Sequence, residues 1–376
     1  MRRIKYQPRS NWQSRVESEG MHYHSEDDVP YWDESAYYEF TANEIDELEA
    51  ATIELQKLCL QAVQHVLDED RLNEFLIPEP FHNLVRASWE NDEPSLYGRF
   101  DLRYDGVLPP KLLEYNADTP TGLLEAAVIQ WTWLQDCFPD RDQFNSIHER
   151  LIEGWAYLRE TLGSADLLHL AAVSESLEDH MNVAYLRDTA IQAGWQTEYL
   201  DIEQIGWDAA RGDFTDMEER PIDCCFKLYP WEWLMREEFG RDIPVGNTRW
   251  IEPAWKALLS NKALLVILWE LFPDHENLLP ASFEPLHGGT FAAKPILGRE
   301  GANVRLMRHG RTRFQTDGTY GDEPLVYQEL CELPEFDGQH PCIGSWLIND
   351  WACGIGIRED ISLVTGNMSR FIPHVF

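Results

Sequence analysis

The sequence predicts an α+β fold in which short strands carry the chemistry and long helices form scaffold. Three stretches lead to that expectation. In residues 41–70, Leu48, Leu55, Leu58, Val63, Val66 and Leu67 recur at helical spacing. Residues 97–118 read as two strands with alternating faces around the turn Gly106-Val107-Leu108-Pro109-Pro110. Residues 292–306 run from an apolar segment into Lys294, through a loop holding Gly298 and Gly301, and out through Val304-Arg305-Leu306. That last pattern is strand, glycine loop, strand. A chain of 376 residues, 44% hydrophobic and 12% aromatic, is globular rather than disordered and can build two or three lobes around a real core.

Charge and cysteine usage remove several classes of function. The formal charge of −35 would repel the phosphates of a nucleic acid. It suits a cationic small substrate, and it equally suits a protein that uses acidity only for solubility. The seven cysteines, Cys59, Cys137, Cys224, Cys225, Cys331, Cys342 and Cys353, are odd in number and show no CxxC pair. A reduced, cytoplasmic protein without a structural zinc site is therefore expected. No apolar run approaches the ~20 residues that cross a bilayer. The opening Met1-Arg2-Arg3-Ile4-Lys5 lacks the apolar segment of a signal peptide.

Taken in order, residues 1–40 read as an irregular, aromatic-spotted arm. His22 and His24, at i and i+2, fit either metal ligands on one side of a strand or ordinary surface residues. Thr41 and Glu44 form a capping box that opens a helix running to about Asp70. In the strand pair that follows, alternation puts Arg99 and Asp101 on one face, and Glu114 and Asn116 on one face. If the strands pair with those faces matched, three oxygen donors and an arginine converge, a set suited to Mg²⁺. The plain alternative is a pair of solvated strand faces. Thr119-Pro120 starts a helix whose apolar face runs from Leu123 to Leu134, and another helix covers 146–162.

Leu167–Val173 is a buried strand, Ser174–Asp179 a polar loop, 181–193 a helix and Thr197–Leu200 a strand, together a βαβ-like unit. The loop acids Glu175, Glu178 and Asp179 are either ordinary strand-end acids or a seat for an amine. Residues 206–250 are irregular, with a strand at Asp223–Leu228 and a short helix from Tyr229-Pro230-Trp231. Trp250–Leu259 reads as helical. Lys262 then stands at the entry of an apolar helix, where the helix dipole disfavours a cation and a counter-anion such as phosphate would resolve the conflict.

The Lys294 stretch fits a phosphate lid over a nucleotide, because glycine lets backbone N–H groups approach an anion and the lysine adds charge. It also fits a hairpin with a glycine turn. It is not a P-loop, since no Gly-Lys-Ser/Thr closes it. Leu325–Cys331 passes from apolar residues into Gln328-Glu329, a strand end whose backbone suits an adenine edge. The final strands, Cys342–Ile348 and Ala352–Asp360, bring Gly354-Ile355-Gly356-Ile357 to Arg358.

Taken together, Gly98-Arg99-Phe100-Asp101, Glu114-Tyr115-Asn116-Ala117-Asp118, Asn261-Lys262-Ala263-Leu264, Lys294-Pro295-Ile296 with Gly298-Arg299 and Gly301, and Gly354-x-Gly356-x-Arg358 resemble the glutathionylspermidine synthetase family. The motifs run in family order over residues about 80–365. The resemblance implies a carboxylate–amine ligase of ATP-grasp fold that uses ATP and Mg²⁺, with the metal-binding strands ahead of the ATP-cradling lobe, a circularly permuted arrangement. It implies an arm and helix over 1–80, metal-binding strands over 81–165, a substrate lobe over 166–250 and the ATP-grasp lobe over 251–376.

Asp101, Glu114 and Asn116 would hold Mg²⁺, and Arg99 would touch the transferred phosphoryl group. Lys262 and Lys294 would bind ATP phosphates under a lid from Gly298 to Gly301. Gln328, Glu329, Leu330 and Cys331 would run along the adenine, with Leu363 nearby. Arg358 would stabilise charge at the reacting acyl phosphate. Thr119, Glu178 and Asp179 would lie beside the substrates, a peptide carboxylate and an amine.

Two departures stand out. No amidase domain is visible ahead of the first motif, and Cys59 sits within a helix pattern, so no amidase activity is expected. Arg370 falls where the bifunctional members carry an acid, and a cation there would repel a polyamine. A non-catalytic ATP-grasp module that binds nucleotide or peptide, and a ligase for a different peptide or amine, remain open alternatives at this level.

Overall fold

The computed structural model describes every residue except Asp28 and 164–166. Its centre is a five-stranded antiparallel sheet in the order Arg370–Ile372, Trp351–Asp360, His340–Ile348, Tyr97–Arg103, Lys111–Asn116. A second sheet, all parallel, runs Arg249–Ile251, Cys224–Leu228, Leu167–Ala172, Gln196–Asp201. A third, antiparallel, runs Ala281–Ser282, Leu325–Glu329, Phe291–Pro295, Arg305–Arg308, Arg311–Gln315. The molecule thus mixes helices with parallel and antiparallel sheets. The domain boundary expected at residue 165 lies outside the described residues.

The helix Ala42–Asp68 starts where its capping box predicts. The Thr41 hydroxyl accepts from the Glu44 N–H, and the Glu44 carboxylate accepts from the Thr41 N–H at 2.7 Å. Its apolar stripe packs against the helix Ala263–Leu271 and the central sheet. Leu48, Leu55, Val63 and Val66 are fully buried there, at roughly 1.5–3 kcal/mol each. Among the described residues, no helix is long and apolar enough to cross a membrane. All seven cysteines are free, and burial pushes the Cys59 thiol far up.

Several sequence-based expectations need correction. The N-terminal arm is not irregular. Arg2–Lys5 and Ala36–Glu39 pair antiparallel, and the C-terminal strand His374–Val375 joins them in parallel. Tyr6, Tyr37, Trp133 and Phe138 pack ring to ring beside that sheet. His22 and His24 precede the short strand Ser25–Glu26 rather than sharing one, and the His24 ring contacts Ser25 and Glu17. Trp250 is not helical. It extends the parallel sheet opposite Cys225, and helix begins only at Lys256.

The helix expected from Thr119-Pro120 begins after Gly122 and passes through a π-helical turn, Glu125–Ile129. The delay has a cause: residues 117–122 are tied elsewhere. The Ala117 and Asp118 N–H groups donate to the Ser260 hydroxyl, while the Asp118 carboxylate accepts from Lys227 Nζ and the Trp231 N–H. Conversely, Glu178 and Asp179 are not in a loop. Ser176 caps the helix Leu177–Gln192 by accepting from the Asp179 N–H, which places both acids in its first turn.

Candidate active site

The metal-type residues sit on two neighbouring strands of the central sheet, the edge strand Lys111–Asn116 and the strand Tyr97–Arg103 beside it. Antiparallel register sets Arg99 opposite Asn116 and Asp101 opposite Glu114. The matched-face arrangement that alternation allowed therefore forms. Arg99 grips Asp101 with both ends of its fork, Nε to Oδ1 at 2.7 Å and Nη2 to Oδ2 at 3.1 Å. Arg358, from the Trp351–Asp360 strand, reaches the same carboxylate at 3.2 Å. Asn116 Nδ2 donates to Asp101 at 3.3 Å and to Glu114 at 3.4 Å. On the neighbouring strand, a Cβ at Gly344 would lie 2.9 Å from Arg99 Cδ, so the guanidinium crosses the sheet only over a glycine.

The lysines arrive from two other elements. Lys262, at the N-terminus of Ala263–Leu271, meets Glu114 Oε2 at 3.0 Å and donates to the Gly298 carbonyl at 2.6 Å. The counter-anion foreseen for Lys262 is thus already present as a protein carboxylate. Lys294 Nζ donates to the Leu113 carbonyl at 2.9 Å and to Gln328 Oε1 at 2.7 Å. Burial pushes the Glu114 carboxyl up, but attraction to Lys262 and then Lys294 wins and holds it well below the usual carboxylate range. Burial draws the Lys294 ammonium down to about 8, against the pull of Glu114 and with the push of Lys262.

These groups line one cavity of about 230 Å³. One end is charged, with Arg99, Asp101, Glu114, Asn116, Lys262, Lys294 and Arg358. The other is apolar, where Ala292, Val304 and Leu306 form a small cluster with Leu330 and Leu363. Gly298, Gly301, Gln328, Glu329, Cys331, Thr119 and Asp179 also face it. Glu178 does not. It stands behind that wall, where burial and the like charge of Glu125 raise its carboxyl to about 7, opposed by the Thr121 hydroxyl. Glu125 itself is fully buried in the π-helical turn and accepts from the Tyr31 hydroxyl at 2.8 Å.

Phe291–Pro295 and Arg305–Arg308 pair as the strands expected on either side of the glycine loop. Gly301 has φ +68°, and a Cβ there would lie 2.5 Å from the Thr365 carbonyl, so the loop turns tightly against the segment that carries Leu363. Arg299 crosses to another part of the chain. It pairs with Glu232 at 3.2 Å, hydrogen-bonds the Thr119 hydroxyl and lies over the Trp233 ring at 5.9 Å. Sequence reasoning gave Arg299 no role of its own and missed Glu232, Trp233 and the buried Asp118–Lys227 pair at 2.8 Å. Arg299 was visible between two glycines; its partners, on separate elements, left no local signal. Arg370 does not line the cavity, and Asp33, Glu359 and Gln339 hold its guanidinium.

The donor set fits the cofactors that the resemblance implies. Hard oxygens of Asp101, Glu114 and Asn116 converge, and the positive charge that now faces them comes from Arg99, Arg358 and Lys262. The apolar end suits a planar base, and the cationic end suits phosphates.

Comparison with known proteins agrees with this architecture. The family model described as glutathionylspermidine synthase preATP-grasp matches residues 3–376. A Haemophilus influenzae protein, assigned by name only as an acid–amine ligase, is 47% identical over 365 residues, covering 94% of this chain and 92% of its own. The bifunctional glutathionylspermidine synthetase/amidase of Escherichia coli is 30% identical over 90% of this chain. The trypanothione synthetase of Crithidia fasciculata is 29% identical over 85% of it. The match spans 58% and 53% of the length of those two enzymes. Among solved structures, a glutathione synthetase-like effector from Globodera pallida shares the fold, with TM-score 0.57 over 90% of this chain and 88% of its own at 10% identity. The chain belongs to the glutathionylspermidine synthase family of C–N bond-forming ligases.

Proposed function

We propose that this protein is an ATP- and Mg²⁺-dependent ligase that joins a peptide carboxylate of glutathione type to an amine of polyamine type, on a circularly permuted ATP-grasp body in the cytoplasm. One observation carries the reading: the carboxylates near residue 100 and the lysines at 262 and 294 meet in a single cavity, with an apolar end beyond them. Mg²⁺–ATP, when bound, supplies the phosphoryl group that turns a carboxylate into an acyl phosphate, which an amine can attack.

The protein's part is placement and charge balance. Asp101, Glu114 and Asn116 would hold the metal, and Arg99 and Arg358, which pair with Asp101, would face the transferred phosphoryl group and the developing oxyanion. Lys262 and Lys294 balance the phosphates. Ala292, Leu306, Leu330 and Leu363 enclose the base, with the backbone of Gln328–Cys331 along its edge. The Gly298–Gly301 loop, fastened by Arg299, keeps water from the reactive intermediate. Thr119 and Asp179, on the cavity wall, receive the substrates and hold the ammonium before attack, and Glu178 backs that wall next to Thr121.

Incubation with ATP, Mg²⁺ and matched pools of glutathione-like peptides and polyamines tests this. Release of ADP and phosphate only when both co-substrates are present supports ligation. Nucleotide binding without turnover under any pairing would instead favour a non-catalytic binding module.

A further inference from the structure

A second, smaller cavity of about 30 Å³ lies behind the charged end of the first. The two share Glu114, Asn116, Thr119, Lys262, Gly298 and Arg299 as a common wall. The smaller one is also lined by Leu76, Ala257 and Arg236, the last of them exposed. Its volume holds about one or two waters as it stands. Its cations are Lys262, Arg299 and Arg236, against Glu114 and Glu232. Glu114 is matched by Lys262, and Glu232 by Arg299, at 3.0 and 3.2 Å. Among the described residues no carboxylate pairs with Arg236. In a chain with 66 acidic and 31 basic residues, the lining of this cavity holds more cations than carboxylates.

We propose that inorganic phosphate leaves the active site through this rear passage, past Arg236, with the Glu232–Arg299 pair as its gate. The proposal rests on the ligase reading. As the amine nitrogen bonds to the acyl carbon, the carbon–oxygen bond to phosphate breaks. Phosphate departs with that electron pair, and the nitrogen's proton passes to a carboxylate at the amine end. Phosphate is therefore set free at the charged end, beside Lys262 and Arg358. ADP then fills the apolar end, and the amide product lies toward Asp179. The shared wall borders that charged end, and Arg299 there can exchange Glu232 for the departing anion.

Radiolabelled phosphate binding by equilibrium dialysis, with saturating Mg²⁺–ADP, tests the site without turnover. Millimolar binding is expected, weakened at least tenfold by Arg236→Glu and by the plug Leu76→Trp, with ADP affinity unchanged in Arg236→Glu. Unchanged phosphate binding in Arg236→Glu, or no binding to the wild type, would overturn the passage and leave a solvent pocket only. In turnover with glutathione and spermidine, acid quench reports phosphate formed and a fluorescent phosphate sensor reports phosphate released. Arg236→Glu should slow release several-fold at an unchanged rate of formation. Formation that fails in the wild type with every peptide–amine pair sinks the ligase reading, and the dialysis result still judges the passage by itself.

Discussion

Asp101 is almost fully buried, and Arg99, Arg358 and Asn116 all point at it. Removing one partner from such a buried cluster leaves the others uncompensated. Asp101→Asn is expected to raise the Mg²⁺ concentration for half-maximal activity about tenfold or more, as a hard cation loses a charged oxygen ligand. A metal titration unchanged from wild type would remove Asp101 from the metal site. Lys294 offers a test by pH. With its ammonium at about 8, the charge facing the phosphates fades as pH rises through that value. Calorimetry should show ATP affinity falling between pH 7.5 and about 9 in the wild type, and holding steady in Lys294→Arg, whose guanidinium stays charged. Lys294→Ala should lose ATP-dependent activity and weaken nucleotide binding at least about tenfold, with its melting temperature retained.

At the scale of elements, the glycine loop and the Leu363 segment act against each other. Gly301 sits in the left-handed region and against the Thr365 carbonyl, so a β-branched residue suffers both strain and a clash. Gly301→Val is expected to lower kcat by about tenfold or more while circular dichroism stays native. Full activity in that variant would mean the loop does not need this closed shape. The pattern around 292–306 was readable from sequence because strand alternation and a glycine turn are local signals. The loop's anchoring was not: Glu232 and Trp233 lie far away in the chain, and nothing in their neighbourhood distinguishes them from ordinary surface residues. The late start of the helix after Thr119 escaped for the same reason, since its cause is Asp118's bond to Lys227 on another sheet.

For the whole molecule, the two chain ends share a sheet. Ala36–Glu39 holds Arg2–Lys5 on one edge and His374–Val375 on the other, and Arg3 forks onto Glu359 of the central sheet at 2.7 and 2.8 Å. Phe371, Ile372 and Val375 are buried there. Deleting residues 370–376 is expected to cost about 5 kcal/mol or more from those side chains alone, read as a fall in the denaturant midpoint. An unchanged midpoint would show the tail to be dispensable.

By itself, the sequence determined the elements: the capped helix from Ala42, the alternating strands near residue 100, the glycine turn after Lys294 and the order of the family motifs. Each depends on spacings within a few residues, and such spacings are written directly in the chain. Only the tertiary structure decided that Asp101 faces Glu114 and that Lys262 finds a carboxylate. It also decided that Glu178 stands behind the wall which Asp179 lines. Register and lobe contacts join residues up to hundreds of positions apart. They are selected by burial and charge pairing across the whole fold, and no local pattern encodes them.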